Sequence, residues 1–78
     1  MNIKHFLETT EDYEIYKADD LLIIYLENDT HDINITYDMT TETIEEYEAY
    51  NSLDDSSVIL SESDKKQLIS WIKNNYSN

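Results

Sequence analysis

The longest unbroken apolar run in the chain is Leu21–Leu26, within "LLIIYLE". It is β-branched and aromatic and apolar on both faces, the signature of a central strand. Upstream, in "DYEIYK", Tyr13, Ile15 and Lys17 alternate with Glu14 and Tyr16, which predicts a strand with one half-wet face. "ADD" between them reads as a turn. "NDTHD", residues 28–32, predicts a five-residue turn held by Asn and Asp side chains. "INITYD" then alternates, with Ile33, Ile35 and Tyr37 on one side and Asn34, Thr36 and Asp38 on the other.

Two stretches fit more than one period. In "NIKHFLE" Ile3, Phe6 and Leu7 have helical spacing, compatible with one or two helical turns or an irregular arm. In "TTETIEEYEAY", residues 40–50, Ile44, Tyr47 and Tyr50 suit a helix, while Thr43, Glu45, Tyr47 and Ala49 alternate as in a strand. The threonines and tyrosines favour the strand. "NSLDDSS" reads as a loop and "VIL" as a short strand. Beyond them Ser61 or Ser63 can cap a helix with Glu62 and Asp64 in its first turn and Lys73 near its end. Leu68, Ile69, Ile72 and Tyr76 form its apolar stripe, flanked by Trp71.

Strands followed by a helix predict a single small α+β domain, residues 1–78. Its antiparallel sheet of four to five strands has the C-terminal helix packed on one face, and the other face is wet and acidic. A chain of 78 residues sits near the lower limit for a self-sufficient core. It has no Cys, hence no disulfide and no thiolate metal site, and packing must hold it together. With no Gly and no Pro, its turns rest on Asn, Asp and Ser, which tolerate left-handed backbone better than other side chains do. No signal-like segment is evident, and the apolar runs are too short to span a bilayer, so a cytoplasmic location in a bacterial cell is expected. The N-x-Ser/Thr triplets at Asn28, Asn34 and Asn75 fit chance in a chain rich in these residues.

Charge narrows the function further. The chain carries 18 acids against 5 lysines and no arginine, a net charge of −13. Binding nucleic acid through a basic patch is thereby excluded, and anionic membranes are repelled. A cationic protein partner is favoured, and encounter with it accelerated. The pairs Asp19–Asp20, Glu45–Glu46 and Asp54–Asp55 lie in turns or on a wet face, where nothing raises a carboxyl pKa for acid–base work. Glu27, Asp29, His31 and Asp32 in "ENDTHD" offer metal ligands, but the glycine and terminal Glu of an EF-hand loop are missing. Lack of Gly also removes nucleophile elbows and phosphate-cradling loops. Neither an enzyme nor a cofactor is expected.

The acids themselves remain. From Ala18 to Asp64 the chain has 14 acids and no Lys or Arg, whereas ordinary surfaces intersperse both signs to relieve repulsion. Carboxylates at i and i+2 of a strand stand about 6–7 Å apart on one face, comparable with successive phosphates of a nucleic-acid strand. Glu46 with Glu48, or Asp12 with Glu14, qualifies where the chain is extended. The expected partner surface comprises Asp19, Asp20, Asp29, Asp32, Glu42, Glu45, Glu46, Glu48, Asp54 and Asp55, with Tyr16, Tyr47 and Tyr50 exposed beside them. In its short single domain, lack of Cys, extreme acidity and segments such as "TTETIEEYEAY" and "NSLDDSS", the chain resembles the small acidic inhibitors made by bacteriophages and mobile elements. These are anti-CRISPR proteins, anti-restriction DNA mimics and inhibitors of uracil-DNA glycosylase. The resemblance implies competition for the basic groove of a nuclease or CRISPR effector. The chain is expected to act as a monomer or homodimer and to bind no nucleic acid itself. An immunity protein for a basic nuclease toxin shares this charge logic. A structural accessory protein assembling through the Trp71 helix is the third reading.

Overall fold

The computed structural model describes residues 1–76; Ser77, the third residue of the Asn75 triplet, lies outside the described residues. The chain forms α1 (Ile3–Glu8), β1 (Asp12–Ala18), β2 (Leu21–Glu27), β3 (His31–Asp38), β4 (Thr43–Asn51) and α2 (Glu62–Asn75). The four strands make one antiparallel sheet in the order β1-β2-β3-β4, each paired with its sequence neighbour. Both helices cover the same face, giving the expected α+β layers.

Alternation sets that face. In register across the sheet, Ile15, Ile24, Ile35 and Tyr47 form one inward row, and Tyr13, Leu26, Ile33 and Ala49 another. Leu68 and Ile72 of α2 and Ile3 and Phe6 of α1 close over them, all at most 2% exposed. The apolar stripe read on α2 is therefore spent inside the molecule, and Trp71 packs edge-on against Tyr13, ring centroids 5.2 Å apart. Residues 3–8 are helix rather than irregular arm. Asn2 caps them by accepting from the His5 amide at 3.1 Å, and burial of Ile3 and Phe6 supplies the stability so short a helix lacks alone.

Ser61 caps the helix α2. Its hydroxyl accepts from the Asp64 amide at 3.1 Å, while the Asp64 carboxylate accepts from the Ser61 amide at 3.0 Å. That reciprocal box satisfies two otherwise unpaired donors.

Turns without glycine place Asp19, Glu42 and Asp55 at positive φ, near 55–60°. The β2–β3 turn is tighter than expected. The Asn28 side chain accepts from both the Thr30 and His31 amides, so β3 begins at His31 and takes in Asp32. "VIL" is not a strand. One bridge, Tyr50 to Ser57, and a bond from the Val58 amide to the Ala49 carbonyl at 2.7 Å follow β4 briefly. The segment then leaves so that Leu60 can enter the core, which leaves four strands rather than five.

A candidate binding face on the open side of the sheet

The same alternation that buries one face determines what stands on the other. One row across the strands reads Asp12, Glu27, Asp32, Tyr50. The next reads Glu14, Tyr25, Asn34, Glu48, and the third Tyr16, Ile23, Thr36, Glu46. Strands lie about 4.8 Å apart, so the carboxylates of Asp12, Glu27 and Asp32 crowd one end of the sheet within roughly 10 Å. Charge repulsion registers there. The Asp32 charge, then desolvation and the Asp12 charge, raise the Glu27 pKa above its ordinary 4.5. The Tyr50 hydroxyl is likewise pushed up by hydrogen bonding to Asp32 and by its charge, and the Tyr16 hydroxyl by the Glu14 carboxylate to which it donates at 2.6 Å.

Lysines are kept away from this face. Lys4, Lys65, Lys66 and Lys73 lie in the helices, and Lys17, the remaining one, points to the helix side of β1 by alternation with Tyr16. Of the 18 acids only Glu8, Glu62 and Asp64 are helical. The ion pairs among the described residues, Lys65–Glu62 at 3.5 Å and Lys73–Glu42 at 2.8 Å, both use α2.

The expected surface residues divide accordingly. Asp32, Glu46 and Glu48 share the open face, and Asp32 does so as a strand residue rather than a turn residue. Asp29 lies in the β2–β3 turn, which the Ser52 amide joins at Thr30, so the loop holding Asp54 and Asp55 borders the same acidic end. Asp54 serves that loop: its carboxylate accepts from the Ser56 hydroxyl and amide at 2.6 and 2.9 Å, bonds that lower its pKa. Asp19 and Asp20 form the β1–β2 turn at the opposite end. Glu42 is drawn toward α2 by Lys73. Glu45 has no partner in register, because Thr36 pairs with Glu46 but Tyr37 with Ile44. This bulge separates it from the Glu46–Glu48 track.

Of the tyrosines, Tyr16 is exposed on the open face, and Tyr50 stands on that face but is half-buried rather than exposed. Tyr47 is not on that face. It packs on the core, and its hydroxyl accepts from the Leu60 amide at 3.0 Å while Lys65 lies over its ring. Asp12 and Glu14, the other carboxylate pair at i and i+2, stand on this face of β1, and Tyr25 and Glu27 belong to it but are absent from the expected set. Tyr25 sits within the apolar run 21–26, and Glu27 directly follows it. Yet the odd positions of 21–27 end in Tyr and Glu, and that is the signal of an outward face.

Tyr25 is 44% exposed, and Tyr16 meets it edge to face with centroids 6.2 Å apart. Tyr25 and Tyr50, with Asp12, Glu14, Glu27, Asp32 and Asn34, line a shallow concavity of about 620 Å³. Among the described residues, no three His, Cys, Asp or Glu side chains converge to hold a metal ion, and "ENDTHD" does not fold into a ligand set. No helix among them is long and apolar enough to cross a membrane. Comparison with family models, with curated proteins and with solved structures gave no match.

Proposed function

We propose that the protein is an inhibitor of the kind made by phages and mobile elements. Its open sheet face would occupy the basic nucleic-acid-binding surface of a nuclease or defence complex, in the manner of an anti-CRISPR or other DNA mimic, in the host cytoplasm. The observation that carries this reading is the segregation of charge. Carboxylates of all four strands share a face that holds no lysine, although repulsion there costs stability. A surface under no functional demand would mix both signs.

Glu46 and Glu48 extend the track along β4 at about 6–7 Å spacing, and the apolar rings of Tyr16 and Tyr25 supply packing at its centre. In this mechanism carboxylates pair with the Lys and Arg side chains that otherwise hold phosphates, and access is blocked sterically. The accessory reading is weakened because Leu68 and Ile72 of α2 are buried within the same chain.

The test is competition. Purified protein is titrated into nucleic-acid-guided and restriction nucleases while substrate binding is followed. Inhibition relieved by excess duplex DNA and by salt is expected, and a Glu46→Lys/Glu48→Lys variant with an unchanged melting temperature should lose it. Inhibition indifferent to DNA, salt and charge reversal would overturn the reading.

A further inference from the structure

We infer that the concavity between Tyr25 and Tyr50 is a receptor for the guanidinium group of an arginine presented by the partner protein, in preference to a lysine. The inference rests on the reading of the open face as a binding surface and adds which cation anchors it.

Four carboxylates, Asp12, Glu14, Glu27 and Asp32, line the concavity together with the rings of Tyr25 and Tyr50. A compact ammonium ion needs only the charge. A guanidinium is planar and weakly hydrated, so it can stack on a ring while its fork of donors meets carboxylates at the edge. Tyr25 offers such a ring, 44% exposed. Tyr16 braces that ring edge-on at 6.2 Å and is itself tied to Glu14 at 2.6 Å. Tyr50 stands across Asp32 on the neighbouring strand. The Tyr25 ring is thus held before any ligand arrives, which lowers the ordering cost of binding. A bare divalent cation is a poorer fit, because no three of these carboxylates converge on one point. The concavity also has room for side chains next to the arginine.

The experiment measures fluorescence anisotropy of labelled oligoarginine and oligolysine peptides of equal length against the purified protein at matched salt. Oligoarginine should bind about tenfold more tightly. Tyr25→Thr removes the ring while keeping strand propensity and should bring arginine down to the lysine level. Tyr25→Phe should keep the preference. Asp19→Asn/Asp20→Asn, at the far end of the sheet, should leave it unchanged. Equal affinity for both peptides would overturn the arginine site and leave the acidic-face reading standing. Binding of neither peptide would overturn both. A preference that survives Tyr25→Thr would place the site elsewhere and overturn this assignment.

Discussion

Lys73 Nζ lies 2.8 Å from the Glu42 carboxylate, joining the last turn of α2 to the β3–β4 turn. Glu42 occupies that turn at φ 57, a conformation a β-carbon disfavours. The pair is solvent-exposed and should contribute little. Lys73→Ala is expected to lower the melting temperature by a few degrees at most, with the difference vanishing in molar salt. Glu42→Gly and Glu42→Ala both delete the pair, but only glycine relieves the backbone. The glycine variant should be the more stable by about 1 kcal/mol in urea denaturation.

Tyr47→Phe isolates the bond to the Leu60 amide. The change leaves a donor beside a buried residue without its acceptor, and should cost about 1–2 kcal/mol in chemical denaturation. Binding of cationic peptides should not change, since Tyr47 faces the helices.

Ser61→Ala should destabilise by about 1 kcal/mol because it opens the capping box, whereas Ser63→Ala should be nearly silent. Thermal melts followed by circular dichroism distinguish the two.

Glu27 predicts an unusual pH profile. Its pKa is raised in the folded state, so its ionised form opposes folding, and that opposition fades as pH falls through the raised folded value toward the ordinary 4.5. The melting temperature should therefore rise on mild acidification. In Glu27→Gln the neutral-pH value should be higher and the rise smaller. Asp54 works in the other direction. Its pKa is lowered by Ser56, so its stabilisation is complete above 3.8 and lost as pH falls through the lowered value. Calorimetry across this range should find maximal stability on the acid side of neutrality.

Much of the fold was legible in the sequence because two periods carry it. Ile33, Ile35 and Tyr37 alternate, and Leu68 and Ile72 recur at helical spacing; all of them are buried where those periods place them. The errors arose where a single interaction outweighed the pattern. Asn28 closes its turn with two amides at once, so Asp32 passed from turn to strand. The inward demand of Leu60 ended the "VIL" pairing after one bridge, leaving Ile59 88% exposed. Tyr47 suits either face of a strand, and only its distant partner at Leu60, 13 residues on, decides which. The candidate site was legible in kind, as acids beside tyrosines. Its address was not, because cross-strand register brings Asp12, Glu27 and Asp32 together from three separate segments.

With four of the five lysines in the helices and 15 of the 18 acids outside them, the molecule carries an electric moment perpendicular to its layers, superimposed on the net charge. A cationic surface then exerts a torque as well as an attraction. The protein would turn its sheet toward such a surface once within about a Debye length of it, before contact, and arrive already oriented. Much of the orientational search that slows ordinary protein association would be over before contact. Moving a single lysine from α2 to β4, at constant net charge, would therefore slow capture more than it would hasten release.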